Sequence, residues 1–175
     1  MSQEPVKRIL GHSFRSEIIK LQRKIEMIKI DLHSEQDTID LAAYIAPVLK
    51  PSDVLCLYGD LGSGKTFFTK HIAKMLFVEE EVDSPSFVLF KEYQCAKFPL
   101  YHLDLYRLKD EGELLDLGIF DMIESGITLI EWPQLAQKLL PYCSICLHFY
   151  FDGTQRWVEI EPAEELGYLF EEYAK

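Results

Sequence analysis

The segment Gly59-Asp60-Leu61-Gly62-Ser63-Gly64-Lys65-Thr66 constrains this chain more than any other. It follows a compact apolar run, Asp53 to Tyr58, with the pattern of a buried strand, and it runs into a helical stretch from Lys65 to Leu76. The spacing G-x-x-x-x-G-K-T has a physical cause. Glycines let the backbone turn tightly around a phosphate, so that successive N–H groups and the following helix N-terminus point at its oxygens. Lys65 adds a mobile positive charge near the β- and γ-phosphates, and Thr66 offers a hydroxyl to magnesium. A glycine turn that merely capped a helix would not require Lys followed by Thr. Asp60, Leu61, Gly62, Ser63, Gly64, Lys65 and Thr66 are therefore the expected nucleotide-binding residues, and Thr66 an expected metal ligand.

The rest of the chain alternates strands and helices. Ile30-Asp31-Leu32 is a short strand candidate, and Ser34 with Asp37 forms a capping box for a helix bearing Ile39, Ala42, Ile45 and Leu49, which Pro51 stops. Further strands are expected at Phe87 to Tyr93, Pro99 to Leu105, Thr128 to Ile130, Ile145 to Phe151 and Arg156 to Ile160. Helices are expected near Glu111 to Ile123 and at Glu164 to Tyr173. The late strands joined by Asp152-Gly153 read as an antiparallel hairpin, so the predicted fold is α/β, a P-loop NTPase-type mixed sheet flanked by helices. Residues 14–28 carry Phe14, Ile18, Leu21, Ile25 and Ile28 at near-helical spacing among basic residues. This predicts a basic amphipathic N-terminal extension over 1–29, ahead of a nucleotide-binding domain over 30–175.

Charge is unevenly spread. Residues 1–30 hold seven Lys/Arg against three acids, and the remainder holds eleven basic against twenty-six acidic residues, so a +4 segment precedes a −15 body. A body that acidic repels phosphate backbones, which points to protein partners rather than naked nucleic acid. With no membrane-length apolar run and no secretory signal pattern, the expectation is a soluble cytoplasmic protein with free thiols at Cys56, Cys95, Cys143 and Cys146. Cys143 and Cys146 have CxxC spacing, but within an apparent strand from Tyr142 to Tyr150 odd spacing sends them to opposite faces. That argues against a metal or redox role.

A phosphate loop needs further acidic groups for metal and attacking water, usually at the end of a neighbouring apolar strand. Glu131, closing Gly126-Ile127-Thr128-Leu129-Ile130-Glu131, suits a magnesium or water ligand, against the alternative of a solvated strand-end acid. Tyr101-His102-Leu103-Asp104-Leu105-Tyr106-Arg107 puts His102 and Asp104 on one strand face. Spacing leaves Asp104 either structural or placed to position water or metal, and His102 a strand residue bonded to backbone. Between these elements and the phosphate loop lies Ser84-Pro85-Ser86, which reads either as a plain turn or as a switch whose hydroxyls sense the γ-phosphate.

The chain contains no asparagine, so the Asn-Lys-x-Asp element that reads guanine is absent, and ATP is the expected nucleotide. A small-metabolite kinase, with Asp104 as base, is the alternative. Only Arg107 and Arg156 lie after the phosphate loop, where such kinases generally carry an arginine-rich lid. A nucleotide-gated binding module is a third reading.

Taken in order, Gly59 to Thr66, Ser84-Pro85-Ser86, His102 to Arg107 and Ile130-Glu131-Trp132-Pro133 give a chain that resembles the TsaE (YjeE) family over roughly residues 30 to 161. The resemblance implies an ATPase serving threonylcarbamoyl modification of adenosine in tRNA. It would work with TsaD and TsaB and reach tRNA only through that complex. It further implies Thr66 and Glu131 as magnesium ligands, Asp104 as needed for hydrolysis, Trp132 beside the nucleotide, and Arg156 as a basic position reaching it. Two features depart from the family: Ser86 stands where Thr is usual, and Trp157 stands where a second basic residue often follows the arginine. The segment before Met27 lies outside the resemblance, and is expected to be either a lineage-specific partner arm or an upstream extension absent from the natural protein.

Overall fold

The computed structural model describes residues 27–140, 142–163 and 166–173. Its seven strands are β1 (Ile28–Asp31), β2 (Val54–Tyr58), β3 (Phe90–Gln94), β4 (Pro99–Asp104), β5 (Ile127–Glu131), β6 (Ile145–Asp152) and β7 (Gln155–Pro162). They form one sheet in the order β1-β7-β6-β2-β5-β4-β3. β4, β5, β2 and β6 run parallel, while β3 and β7 pair antiparallel at either side and β1 pairs antiparallel with β7. The sheet is therefore mixed, as the hairpin signal at Asp152-Gly153 predicts.

Alternation along β2 divides the interior. Leu55 and Leu57 face one side with Leu129 and Leu147, where helix α1 (Glu35–Ile45) brings Leu41, Ala42 and Ile45 and helix α2 (Lys65–Met75) brings Phe68 and Ile72. Val54 and Cys56 face the other side with Leu103 and Ile130, covered by α3 (Glu111–Asp116) and α4 (Ile119–Ser125) through Leu114, Ile119 and Ile123. A strand covered on both faces reads as an unbroken apolar run, which is what Val54 to Leu57 shows. Fully buried Phe68 and Ile72 each contribute about 1.5–3 kcal/mol from apolar burial, and so fix α2 and the loop ahead of it against the sheet. Helix α5 (Gly167–Tyr173) closes the first core with Phe170.

Local chemistry moves several boundaries. The Ser34–Asp37 capping box forms: Ser34 N–H donates to the Asp37 carboxylate at 2.8 Å, and Asp37 N–H donates to Ser34 Oγ at 3.4 Å. The α-helix it starts ends at Ile45, not near Pro51. Pro47 has no N–H to continue the ladder, and the chain tightens into a 3₁₀ turn over Ala46–Val48. The stretch Glu111 to Ile123 is two helices, because Gly118 sits at φ 73° and turns the chain between them. β3 begins at Phe90 rather than Phe87. Residues 87–89 are a turn in which Val88 and Leu89 N–H groups both donate to the Pro85 carbonyl, at 2.9 and 2.8 Å, and Leu89 has φ 70°.

Ile28 opens β1, so the sheet starts inside the stretch read as a helix; the part of that helix before Met27, and the extension of 1–26, lie outside the described residues. β6 begins at Ile145, which leaves Cys143 in the preceding turn. The two thiols then meet on one side, with Cys146 Sγ 2.8 Å from Cys143 Sγ, instead of pointing to opposite faces. Among the described residues no helix is long and apolar enough to cross a membrane.

Candidate active site

Parallel strands in register end together, and the order β2-β5-β4 places three strand ends side by side. β2 runs into the glycine loop, Leu57 pairs with Glu131 of β5, and Glu131 pairs with Asp104 of β4. The loop adopts the conformation its glycines allow. Gly59 has φ 133° and lies so close to the Phe149 carbonyl that a Cβ would collide with it, and Gly64 has φ 109° as the residue ahead of α2. No side chain caps that helix, so its first-turn N–H groups are left for an anion arriving from the loop side.

Lys65 is buried, and its ammonium donates to the Gly59 and Asp60 carbonyls at 2.7 and 2.9 Å while lying 4.2 Å from the centroid of the Trp132 ring. Burial pushes its pKa down, and the charges of Glu131, Asp104 and Asp60 pull the other way. Trp132 reaches this place through a left-handed backbone, φ 57°, stabilised by its N–H donating to the Leu57 carbonyl at 3.2 Å, and its ring meets Tyr106 with centroids 4.9 Å apart.

Both oxygens of Glu131 are engaged. Thr66 Oγ1 donates to Oε2 at 3.0 Å, and His102 Nε2 donates to Oε1 at 2.8 Å in a fully buried contact. His102 Nδ1 has no partner among the described residues, and an unpartnered acceptor is tolerated there better than an unpartnered donor. The proton therefore sits on Nε2. His102 is thus bonded to a carboxylate, not to backbone as its strand position suggested. The pattern H-x-D on a strand beside a strand-end Glu was the available signal, but the pairing of β4 with β5 was needed to read it.

Asp104 is also buried and fully engaged. Ser84 and Ser86 hydroxyls donate to Oδ2 at 3.1 and 2.5 Å, and Tyr106 N–H donates to Oδ1 at 3.1 Å. Ser84, Pro85 and Ser86 are thereby fastened to the end of β4, with Pro85 supplying the carbonyl that closes the turn. The Ser84-Pro85-Ser86 segment thus touches the site. Arg156, at the start of β7, donates from Nη1 to the Gly62 carbonyl at 3.1 Å, so it reaches the phosphate loop across the sheet edge. All the residues singled out from sequence gather at this one edge. Tyr106, whose ring is tilted against Trp132, and Arg107, whose guanidinium lies 4.7 Å from the centroid of the Phe87 ring, join them without having been assigned a site role.

Chemically, the edge offers a cradle of backbone N–H groups, one buried ammonium, a hydroxyl paired with a carboxylate, and a second carboxylate held by two hydroxyls. Comparison with known proteins identifies the family. The family model described as "Threonylcarbamoyl adenosine biosynthesis protein TsaE" matches residues 32–158. A tRNA threonylcarbamoyladenosine biosynthesis protein TsaE of Rickettsia bellii is 42% identical over 111 residues, 63% of this chain and 77% of its own length. The Aquifex aeolicus protein of the same name is 43% identical over 140 residues, 78% of this chain and 98% of its own. The crystal structure of Bacillus subtilis YdiB superposes with a TM-score of 0.66 at 31% identity, covering 84% of this chain and 93% of that one. The chain belongs to the TsaE family.

Proposed function

We propose that this protein is a magnesium-dependent ATPase that serves threonylcarbamoyl modification of adenosine in tRNA, acting on a TsaD–TsaB pair in the cytoplasm and reaching tRNA only through it. The observation that carries this reading is the Thr66–Glu131–His102 chain beside Lys65, which gathers phosphate-loop, strand-end and second-strand groups around one point. The names of the relatives supply the pathway, and the −15 body argues that tRNA is not met directly.

The residues fit the nucleotide and its metal. An uncapped helix N-terminus behind Gly62 and Gly64 suits a β-phosphate, and a hydroxyl beside a carboxylate is the hard oxygen set that magnesium takes. When bound, magnesium would neutralise charge on the phosphate oxygens. Lys65 exchanges the Gly59 and Asp60 carbonyls for phosphate. Glu131, oriented by His102, and Thr66 would hold the metal. Asp104 orients the attacking water and takes up its proton, and this requires Ser84 and Ser86 to loosen their hold on Oδ2. The Ser84-Pro85-Ser86 loop is in that sense the switch. Trp132 and Arg156 border the nucleotide. Leu61, Phe87, Val88 and Tyr106, all exposed on loops of this edge, give a partner protein an apolar surface through which to act on the switch.

The test is phosphate release from ATP by the purified protein, alone and with cognate TsaD and TsaB, with Lys65→Ala as blank. Turnover that rises sharply with the pair is expected. Turnover indifferent to the pair, or ADP formation that depends on a metabolite acceptor, overturns the reading in favour of a kinase.

A further inference from the structure

On the sheet face away from α1 and α2, three sulfurs gather that the phosphate chemistry does not use. The Sγ atoms of Cys56, Cys143 and Cys146 all lie within 4.8 Å of one another, and none is in a disulfide. Their meeting is built into the fold. β2 and β6 pair with Cys56 opposite Cys146, so the two thiols share a face. Cys143 is brought in by the turn before β6. Ser144 pins that turn: its Oγ donates to Asp53 Oδ1 at 2.9 Å and accepts from Val54 N–H at 3.2 Å, while its own N–H donates to the Val54 carbonyl at 2.9 Å.

One position along the same face, the Tyr58 hydroxyl is buried with no hydrogen-bond partner among the described residues, under His148, whose ring stacks on that of Tyr58 with centroids 4.4 Å apart. A phenol O–H left over beside three sulfurs is a donor in search of an acceptor. Neutral thiols are poor acceptors, whereas thiolates held by a cation are good ones.

We propose that Cys56, Cys143 and Cys146 form a three-thiolate site for a soft d¹⁰ cation, zinc(II) or copper(I), separate from the magnesium expected at the phosphate loop. Thiolate sulfur selects such ions over hard ones. Metal–sulfur bonds of about 2.3 Å space sulfurs roughly 3.8 Å apart, so binding asks that the Cys143 and Cys146 sulfurs part by roughly 1 Å and that Cys56, within 4.8 Å of both, settle at the same spacing. Three metal–sulfur bonds replace three S–H bonds, and the protons pass to solvent. A two-sulfur redox pair would leave the buried Cys56 unexplained. Three sulfurs with no fourth ligand in the group among the described residues suit trigonal copper(I), or zinc(II) completed by water.

The experiment uses the full chain, reduced and kept anaerobic. It is titrated with cobalt(II), reading sulfur-to-metal charge transfer, then with zinc(II) as competitor, and separately with copper(I) against a chromophoric chelator. One equivalent bound per chain with a thiolate band is expected for at least one of the d¹⁰ ions. Cys143→Ser and Cys146→Ser, at half-buried positions, weaken binding by more than about tenfold. Cys95→Ser, which lies against the other core, leaves it unchanged. Absence of any thiolate band together with loss of both ions to chelator, or unaltered affinity in both Cys143→Ser and Cys146→Ser, overturns the proposal.

Discussion

Replacing Glu131 in two ways separates its charge from its hydrogen bonds. Its carboxylate accepts from the fully buried His102 Nε2–H and from Thr66 Oγ1. In Glu131→Gln the amide oxygen still accepts from His102, and the amide N–H₂ donates to the lone pairs of Thr66 Oγ1, so both contacts survive and only the charge is lost. Stability should then change by no more than about 1 kcal/mol. Glu131→Ala instead leaves a buried imidazole N–H with no acceptor and a small void, a loss of about 1–3 kcal/mol. For a chain of this size 2 kcal/mol is roughly 4–8 °C in Tm. Both variants should lose at least ~100-fold in TsaD–TsaB-stimulated phosphate release, because both lack the anionic ligand. Both should keep nucleotide affinity, since Lys65 and the loop hold the phosphates in the ground state. The assays are thermal unfolding by circular dichroism, binding of a fluorescent nucleotide, and phosphate release. A Glu131→Gln variant that falls in Tm as far as Glu131→Ala refutes the claim that both contacts survive the loss of the charge. Wild-type turnover in Glu131→Gln refutes the role of the charge.

Lys65 supplies a pH prediction. Burial lowers its pKa from the usual 10.5, so between that lowered value and 10.5 the unfolded chain binds more protons than the folded one, and stability rises with pH. Below the lowered value the full cost of the buried charge is present. Nucleotide-free Lys65→Met should therefore be at least as stable as wild type at pH 7 and lack that alkaline gain, while binding ATP at least ~100-fold more weakly; urea unfolding at several pH values and a nucleotide titration check it. Ser84→Ala with Ser86→Ala frees Asp104 Oδ2 of both hydroxyls, and should speed amide exchange across residues 84–89 without affecting α2, read by hydrogen-exchange mass spectrometry. In a Trp157→Phe background the remaining indole is Trp132, and because Lys65 rests over its ring, ATP that draws the ammonium away should change its emission. Unchanged emission at saturating ATP would count against that exchange of partners.

What the sequence revealed and what it hid divide along one physical line. Strand, glycine loop and helix around Gly59–Thr66 were legible because their signals are local: an apolar run covered on both faces, φ-permissive glycines, and an uncapped helix start. Glu131 and Asp104 were legible as strand ends, although their adjacency comes from the β5–β4 pairing. The partner of His102 was not legible, because its bond to Glu131 crosses between strands 29 residues apart in sequence. Residues 87–89 misled for the opposite reason. Phe87, Val88 and Leu89 have strand propensity, but the Pro85 carbonyl captures two of their N–H groups and Asp104 holds Ser84 and Ser86, so tertiary contacts override the local preference.

The cysteines make the same point with a chemical consequence. Alternation separates Cys143 from Cys146 only if both lie in the strand, and the strand starts at Ile145 because Ser144 is held by Asp53 and Val54 at the foot of β2. The residues that fix this turn belong to the strand that leads into the phosphate loop, and Cys56 lies on that strand three residues before Gly59. A cation at the three thiols would brace the base of β2 and the turn before β6 from one face, while Phe149 of β6 packs on Phe68 of α2 from the other, with ring centroids 5.5 Å apart. Occupancy of the thiol site should therefore register first as a higher Tm, and only through the rigidity of β2 and β6 as a change in nucleotide affinity. A metal-dependent shift in affinity without any shift in Tm would contradict that mechanical link.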